Sequence, residues 1–396
     1  MNVLLGVSGS IAAYRAADLA RELMRSGHSV RACLTDAAQN FVSAVLFETL
    51  TGNPCLTDTF QEPIPGRMAH IDWARQADIV VIAPATANTI NKIAQGIGDD
   101  MLTTLALVST RPMVVAPAMN PQMYLNDTVQ ASLQTLHDRG IRIVEPAEGD
   151  VACGEHGQGK LASIAEIVQA VQETLATSQL LAGKRVLITS GPTQEPIDSV
   201  RYLSNRSSGK MGSALARAAL QMGATVTVVA GPQTEPLPLG ADVHRVTTAL
   251  EMHARSLDFA AESDFIIGVA AVADYRVAEP VVGKIRRESS ELHLELVANP
   301  DIIADLAKAA PKAVVVGFAA EPTSDVSVAQ AKIMRKGLAA IAANDVSDPA
   351  IGFGSDRNRL QLVFADGQVL DSGQRSKFSC AWWLLEAIAA LSVNQT

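Results

Sequence analysis

The chain has 396 residues, 48% of them hydrophobic and only 4% aromatic, and it carries a formal net charge of −9. This length predicts two domains, and the hydrophobic content excludes a disordered chain. The acidic balance argues against a nucleic-acid surface, so any phosphate group must be bound by local cations or backbone amides. Because aromatic residues are few, small aliphatic residues must build the core, which suits parallel sheets covered by helices.

The four cysteines are Cys33, Cys55, Cys153 and Cys380, with no Cys-x-x-Cys pair among them. Scattered cysteines are typical of a reduced compartment rather than of a disulfide framework. The N-terminal residues run directly into an apolar strand without a basic leader, and no long uncharged span follows. We therefore expect a cytoplasmic protein that binds neither membrane nor nucleic acid.

The first half of the chain alternates predicted strands and helices. Strands over 3–7 and 30–34 with a helix over 11–25 between them form the opening unit of a doubly wound sheet. Further buried strands over 79–83 and 113–116 are each followed by small polar residues. Ligands of such sheets bind beyond the carboxyl ends of the strands, so these loops are the expected binding site.

The alternation of strands and helices ends near residue 179 and begins again at residue 185. A last helix is predicted over 164–179, and a new strand over 185–189 is followed by an unusually long loop that reaches a helix over 211–222. Long loops in compact domains are often functional. Later core strands are predicted over 225–230, 265–269 and 314–318.

We therefore predict the α/β class with two doubly wound, Rossmann-like domains. A flavodoxin-like domain occupies residues 1–180, residues 181–184 form a linker, and a nucleotide-binding domain occupies residues 185–396.

The loop Ser8-Gly9-Ser10 leads from the first strand into a helix, where free backbone N–H groups attract phosphate. It lacks the Gly-x-Gly-x-x-Gly fingerprint of dinucleotide sites, so a mononucleotide fits it better. Three further residues each allow an ordinary structural interpretation: His70 as a core or surface histidine, Asn120 as a helix cap and Cys153 as a small buried residue. Three glycines around Cys153 favour a loop that closes over a substrate.

In chain order, His70, Pro117-Ala118-Met119-Asn120 and Ala152-Cys153-Gly154 resemble the flavin-dependent phosphopantothenoylcysteine decarboxylases, which are flavin-containing cysteine decarboxylases. The resemblance covers about residues 1–172. It implies that His70 acts as a base while the flavin oxidises the substrate thiol, that Asn120 holds the substrate carboxylate, and that Cys153 protonates the enethiol. It also implies that FMN is bound by Ser8, Gly9, Ser10, Thr35, Thr86 and Asn88.

The second half carries a different set of motifs. Ser204–Gly212 includes Ser-Ser-Gly-Lys before a helix but fails the Gly-x4-Gly-Lys-Ser/Thr pattern of a P-loop. Its hydroxyls and Lys210 either cradle a phosphate or simply begin a helix. Asp274 follows a buried strand and either holds Mg²⁺ on a triphosphate or caps a turn. The basic run 284–287 is either a solvated face or a clamp on phosphates.

From about residue 185 onward the chain resembles the bacterial phosphopantothenate–cysteine ligases. The motifs are Gly191-Pro192-Thr193, Val200-Arg201-Tyr202, Ser204–Gly212, Ala273–Arg276, Asn299–Ile302 and Ala343–Val346. The resemblance implies CTP and Mg²⁺ as cofactors, with Asn205 at an acyl-cytidylate intermediate, Lys284 assisting its formation, and Asp274 as a Mg²⁺ ligand. It further implies contacts to nucleotide or substrate from Arg201, Ser207, Ser208, Lys210, Ala270, Asp274, Asn299, Pro300, Asp301, Ile302, Phe318, Lys332 and Lys336.

Together the two resemblances imply a bifunctional enzyme of coenzyme A biosynthesis. One domain joins 4′-phosphopantothenate to L-cysteine with CTP, and the other decarboxylates the product to 4′-phosphopantetheine. They also imply a homo-oligomer with a trimeric flavin domain and a dimeric ligase domain, such as a dodecamer.

Two alternatives predict different features. A ligase fused to a non-catalytic, regulatory flavoprotein domain would bind flavin without decarboxylating the authentic substrate. An NAD(P)-dependent reductase would need Gly-x-Gly-x-x-Gly or Tyr-x-x-x-Lys, and none of the four tyrosines has a lysine four residues later.

Overall fold

The computed structural model describes residues 1–61, 66–150, 154–286, 292–319, 326–344 and 355–393. The chain forms two compact units, Met1–Ala176 and Thr177–Thr396. Within these described ranges, no helix has both the length and the hydrophobicity that crossing a bilayer requires.

The first unit is a parallel sheet with helices on both faces. Its strands are β1 Asn2–Val7, β2 Ser29–Leu34, β3 Ile79–Ala85, β4 Met113–Pro117 and β5 Arg142–Ile143, and an antiparallel hairpin follows with β6 Ala147–Asp150 and β7 His156–Lys160. Its helices are α1 Arg15–Arg25, α2 Ala44–Thr51, α3 Ala69–Gln76, α4 Ala87–Gln95, α5 Met101–Val108, α6 Pro121–Tyr124, α7 Asp127–Asp138 and α8 Ile164–Leu175, with 3-10 turns at Ile11–Tyr14 and Ala38–Asn40.

The strand order is β2-β1-β3-β4-β5, and every neighbouring pair is parallel. Alternate residues of β1 enter separate cores: Val3 and Leu5 pack on one face, and Leu4 packs on the other. This is the flavodoxin-like order, whose direction of winding changes between β1 and β3. The predicted doubly wound class is confirmed, and the ligand crevice of such a sheet lies beyond the ends of these two strands.

Two predicted elements of this half differ from the structure. The helix predicted over 11–25 begins as a 3-10 turn, because the Ser10 hydroxyl accepts a hydrogen bond from the Ala12 N–H at 3.3 Å, and only Arg15–Arg25 is α-helical. The helix predicted over 164–179 ends at Leu175. After it, the chain joins the second unit, since the Ser178 N–H donates to the Gln221 carbonyl at 2.9 Å.

The segment predicted as a linker over 181–184 is a packed turn of the second unit. Leu181 is buried, and its N–H donates to the Met222 carbonyl at 2.9 Å. The boundary between units therefore falls between Ala176 and Thr177, four residues before the predicted domain end at 180.

The second unit contains a larger sheet. Its strands are β8 Arg185–Ser190, β9 Gln194–Pro196, β10 Tyr202–Ser204, β11 Thr225–Ala230, β12 Asp242–Arg245, β13 Phe265–Gly268, β14 Tyr275–Val277, β15 Leu296–Ala298, β16 Val314–Ala319, β17 Ala340–Asn344, β18 Arg357–Asn358, β19 Leu360–Phe364, β20 Val369–Asp371 and β21 Arg375–Ser376. Its helices are α9 Lys210–Gln221, α10 Ala249–Ala260, α11 Ile302–Ala309, α12 Val326–Lys336 and α13 Lys377–Val393.

The main sheet has the order β12-β11-β8-β13-β16-β17-β19-β20. The first six strands are parallel and follow the Rossmann order, and the last two are antiparallel. The winding changes direction between β8 and β13, which places the expected ligand crevice beyond Ser190 and Gly268. The long loop after β8 contains the hairpin of β9 and β10.

Candidate active sites

In the first unit, the loops after β1 and β3 are joined by Ser8. Its hydroxyl donates to the Pro84 carbonyl at 2.8 Å and accepts from the Thr86 N–H at 2.8 Å. Only 1% of Ser8 is exposed. Its side chain therefore holds together the two loops that border the ligand crevice.

Glycine is needed at position 9, where the loop after β1 meets the loop after β2. A Cβ atom on Gly9 would lie 2.4 Å from the Ala37 Cβ and 2.8 Å from the Ala37 carbonyl carbon. Thr35 and Ser10 also make local bonds, because their hydroxyls accept from the N–H groups of Ala38 and Ala12 at 3.2 and 3.3 Å. The predicted FMN residues of these loops are thus brought to one edge of the sheet.

Thr86 and Asn88 lie at the start of α4, beside that edge. The Thr86 hydroxyl caps the helix by accepting from the Thr89 N–H, and Asn88 is exposed in the first turn. The first N–H groups of a helix lack helical partners and favour an anion. Neutral hydroxyl and amide donors next to a helix N-terminus suit the phosphate of a flavin mononucleotide, so these residues fit that cofactor.

Asn120 caps the short helix α6, and its side chain contacts two described residues. Its Oδ1 accepts from the Gln122 N–H at 2.8 Å, which confirms the helix-cap interpretation. Its Nδ2 donates to the Glu155 carboxylate at 2.9 Å. An amide that caps a helix with one atom can therefore hold a carboxylate with the other.

The hairpin of β6 and β7 packs against the Asn120 loop. The Met119 N–H donates to the Gly159 carbonyl at 2.9 Å, and a Cβ on Gly159 would lie 2.4 Å from the Met119 carbonyl oxygen. Cys153 lies outside the described residues, but Glu155, two positions later, contacts Asn120. Sequence analysis missed Glu155, because a single acid in a glycine-rich loop has no diagnostic spacing.

His70 lies in the first turn of α3, whose end meets the amino edge of the sheet where the Gln76 carbonyl accepts from Asn2 at 3.1 Å. His70 is six residues from that contact, which is about 9 Å along the helix. The Nδ1 atom of His70 is buried and has no hydrogen-bond partner in the described part of the chain. Such an atom is available to a group that the structure does not contain.

In the second unit, a cavity of about 670 Å³ opens beyond the ends of β8, β13, β16 and β17. It lies at the point where the winding of the sheet changes direction. Nine of the predicted residues line it: Asn205, Ser207, Ser208, Lys210, Ala270, Asp274, Phe318, Lys332 and Lys336.

Close packing places the start of α9 at this cavity. A Cβ on Gly212 would lie 2.0 Å from the Ser190 hydroxyl at the end of β8, so the helix approaches the strand as only glycine allows. Gly209 caps the helix with φ +81°, and its N–H donates to the Ser207 hydroxyl at 3.4 Å. The predicted phosphate-binding segment therefore sits at a helix N-terminus.

The cavity is strongly basic. Among the described residues, one carboxylate, that of Asp274, lines it beside six cationic side chains: Arg206, Lys210, Lys332, Arg335, Lys336 and Lys377. The three from α12 recur at helical spacing, which brings them to one face of that helix. This charge suits a polyanionic ligand such as a nucleoside triphosphate. Sequence analysis missed Arg206, Arg335 and Lys377, although the α12 spacing contained a signal for Arg335.

Lys377 is the most buried of these cations, with 9% of the residue exposed. Its ammonium donates to the carbonyls of Ser355 and Arg357, and Lys210 pairs with Asp356 at 2.7 Å. Burial, with a smaller contribution from the Lys210 charge, lowers the pKa of Lys377 to about 8. This cation therefore titrates close to neutral pH.

A neighbouring cavity of about 350 Å³ shares Ala270, Asp274, Phe318 and Lys336 with the first. Asn299, Pro300, Asp301 and Ile302 line it as well. Asp301 caps α11 and pairs with Lys336 at 2.9 Å, so this lysine is held at the junction of the two cavities.

Asn205 reaches across the cavity wall. Its Nδ2 donates to the Val272 carbonyl at 2.8 Å, joining the loop before α9 to the loop after β13. This contact fixes the Asn205 amide beyond the ends of β8 and β13, where the winding of the sheet changes direction.

Arg201 and Lys284 line neither cavity. Arg201 instead bonds the Asp198 carboxylate and the Ile285 carbonyl. Lys284 is exposed in the segment that Arg201 contacts. Arg287, Asp345 and Val346 lie outside the described residues.

Asp274 offers the one carboxylate in the larger cavity, and no group of three metal-ligating side chains occurs among the residues that the structure describes. Mg²⁺ commonly takes one or two protein carboxylates and completes its shell with phosphates and water. Asp274 therefore fits a Mg²⁺ ion that arrives with a triphosphate.

Two family profiles match the chain. The profile described as "Flavoprotein" matches residues 1–176, and the one described as "DNA/pantothenate metabolism flavoprotein C-terminal domain" matches residues 181–391.

Similar proteins span nearly the whole chain. The "Coenzyme A biosynthesis bifunctional protein CoaBC" of Vibrio cholerae is 44% identical over 370 residues, which is 92% of each chain. The protein of the same name from Bacillus subtilis is 41% identical over 99% of this chain and 97% of its own. The solved "C-terminal Domain of Coenzyme A biosynthesis bifunctional protein CoaBC" is 34% identical, covers 55% of this chain and all of its own, and gives a TM-score of 0.46. The chain therefore belongs to the family of bifunctional coenzyme A biosynthesis proteins, which join a flavoprotein domain to a pantothenate-metabolism domain.

Proposed function

We propose that this enzyme catalyses two consecutive steps of coenzyme A biosynthesis. The second unit ligates 4′-phosphopantothenate to L-cysteine with CTP, and the first unit decarboxylates the resulting 4′-phosphopantothenoylcysteine to 4′-phosphopantetheine and CO₂. The observation that supports ligation best is the six-cation cavity at the switch point of the Rossmann-like sheet. The observation that supports decarboxylation best is the carboxylate already bound by the Asn120 amide.

For ligation, the free carboxylate must first gain a leaving group. Its oxygen attacks the α-phosphorus of CTP, pyrophosphate leaves, and the cysteine amine then displaces CMP from the acyl-cytidylate. The cations of the cavity would offset charge on the triphosphate, Asp274 would hold a Mg²⁺ ion that adds to this effect, and positioning would align the reactants. In this proposal Asn205 contacts the acyl-cytidylate, and Lys284 assists its formation.

For decarboxylation, a bound FMN would accept two electrons from the substrate thiol and later return them. The loops that carry Ser8, Gly9, Ser10, Thr35, Thr86 and Asn88 would hold its phosphate and ribityl chain. Asn120 donates to the substrate carboxylate until it leaves. Cys153 gives a proton to the enethiol, and His70 takes the proton of the substrate thiol.

We also propose that the enzyme is a cytoplasmic homo-oligomer. The described cysteines, Cys33, Cys55 and Cys380, are all free, as suits a reducing compartment. Ile11, Tyr14 and Val45 are each at least 60% exposed in the flavoprotein unit, which is consistent with burial by further copies.

The first experiment is mass spectrometry of a reaction that contains the purified protein, 4′-phosphopantothenate, cysteine, CTP and Mg²⁺. Joint appearance of CMP and 4′-phosphopantetheine would support both activities. Accumulation of 4′-phosphopantothenoylcysteine alone in flavin-replete protein would favour a regulatory flavoprotein unit. Absence of any product would contradict the proposal as a whole.

CTP affinity is expected to fall about tenfold between pH 7 and pH 9 through the titration of Lys377. The pKa of this lysine is about 8, so it is mostly protonated at pH 7 and mostly neutral at pH 9. If only the charged form contacts phosphate, at most about one decade of affinity is lost per unit of pH above the pKa. Calorimetric titration of CTP at both pH values measures the effect.

Lys377→Met should remove most of this pH dependence. Lys184→Met is the matched control, because Lys184 is a part-buried lysine of the same unit that pairs with Asp264 and does not line the cavity. A Lys377→Met enzyme that keeps the wild-type pH dependence would contradict the assignment.

A further inference from the structure

The backbone on both sides of Lys284 is held by two consecutive residues. The Gly283 N–H donates to the Ser199 hydroxyl at 2.9 Å, and the Ser199 N–H donates back to the Gly283 carbonyl at 3.2 Å. On the other side, the Ile285 N–H donates to the Asp198 carboxylate at 3.0 Å. The exposed Lys284 side chain therefore starts from a tethered backbone.

Asp198 is the centre of this tether. Its side chain is completely buried, and it accepts hydrogen bonds from the N–H groups of Val200 and Arg201 at 2.8 Å and from the Arg201 guanidinium. The same guanidinium donates to the Ile285 carbonyl at 2.9 Å. Arg201 thus binds the Lys284 segment through its carbonyl while Asp198 binds it through its N–H.

The Asp198 carboxylate is ionised at neutral pH. The Arg201 guanidinium, with the N–H groups of Ile285, Val200 and Arg201, holds the pKa of the Asp198 carboxyl well below its usual range. Within the described ranges, Arg201 is the one cation bonded to this carboxylate, and the remaining bonds come from backbone amides. An ionised side chain this deeply buried is costly unless all of its bonds are made, which fixes the geometry of the segment it holds.

We propose that Asp198, assisted by Ser199, is a positioning residue for ligation that aims Lys284 at the reacting phosphate. Lysine has a long flexible stem, so a fixed backbone reduces the entropy lost when its ammonium reaches the transition state. Arg201 then serves the same tether, which accounts for its absence from both cavities. This inference rests on the proposed role of Lys284 in the ligase reaction.

The test is a double-mutant cycle on the full-length enzyme, read as the rate of pyrophosphate release under saturating CTP. Asp198→Asn is expected to lower kcat about 10- to 100-fold, because bonds to a buried charge are lost. Ser199→Ala should lower it about threefold to tenfold, because one neutral bond is lost. In the Lys284→Gln background, each change should lower the remaining rate less than about twofold.

Asp264→Asn is the matched control, because Asp264 also bonds a backbone N–H, that of Arg185 at 2.8 Å, and a cation, Lys184, at 3.2 Å. It lies at the amino end of β8, opposite the cavity, so kcat should stay near wild type.

The possible outcomes distinguish the positioning role of Asp198 from the role of Lys284 in ligation. Asp198 and Ser199 effects that vanish without Lys284 support the tether. Effects that persist at full size in the Lys284→Gln background, or an Asp198→Asn rate equal to wild type, would overturn it while leaving the ligase function intact. If Asp198→Asn does not fold, Ser199→Ala carries the same test alone. A Lys284→Gln enzyme with wild-type kcat would remove Lys284 from the mechanism, and the tether with it.

Discussion

Asn205→Asp is expected to lower the rate of ligation at least about 100-fold, the usual cost of removing a donor that stabilises a reacting centre. The Asn205 amide donates to the Val272 carbonyl at 2.8 Å. A carboxylate there would meet a carbonyl oxygen without a hydrogen, and it would also add negative charge to a cavity that is built for a polyanion. Release of CMP from CTP, phosphopantothenate and cysteine measures the effect.

Asn205→Ser separates the two causes of that loss, because it removes the amide donor without adding charge. Decarboxylation of supplied 4′-phosphopantothenoylcysteine by the same preparations is the internal control and should match wild type. Wild-type ligation by Asn205→Asp would take this residue out of the mechanism.

The second large effect is expected at Asn120. Asn120→Asp should lower decarboxylation about 100-fold and leave ligation unchanged, so that 4′-phosphopantothenoylcysteine accumulates. The new carboxylate can still cap α6 by accepting from the Gln122 N–H. It cannot donate to a substrate carboxylate, and it would face the Glu155 carboxylate that Nδ2 now contacts. Chromatography of the products with flavin absorbance on each sample measures the outcome.

Asn126→Asp is the matched control for this prediction. Asn126 caps α7 through Oδ1, which accepts from the Thr128 N–H at 3.0 Å, so the same substitution changes the cap of the next helix and leaves the contact between Asn120 and Glu155 in place. Its decarboxylation should equal wild type. If Asn120→Asp still releases 4′-phosphopantetheine at the wild-type rate, the substrate carboxylate does not bind Asn120.

The positions of the core strands and of the second domain were predicted well, because hydrophobic runs are local features of the sequence. Hydrophobic runs such as 225–230 match the observed strand Thr225–Ala230, and the restart of the pattern at Arg185 predicted the second sheet. Errors occurred where a tertiary contact overrides local preference. The helix predicted to continue to residue 179 ends at Leu175, and the Ser178 N–H donates to the Gln221 carbonyl of the second unit.

In the candidate sites, too, features set by local sequence were predicted and features set by tertiary contacts were not. Most of the residues predicted for the ligase site line the two cavities, since the strands they follow end at one edge of the sheet, whereas Arg201 and Lys284 line neither. Lys377 lies far along the chain from Lys210 and has no motif, so its place beside that cation could not be predicted. Ser8 was predicted to contact FMN, a prediction that still stands, but the structure adds that its hydroxyl joins loops 76 residues apart.

The α/β class, the two-domain order and the family could be predicted from the sequence, and most of the site residues predicted for the ligase half do line its two cavities, because periodicity and motifs are properties of short segments. The partner that each polar side chain takes depends on the tertiary structure. Arg201 is bound to the Asp198 tether and not to the cavity, and Glu155 occupies the Asn120 amide. Such pairings depend on where separate loops meet in space, since a hydrogen bond requires approach within about 3 Å that no local pattern encodes.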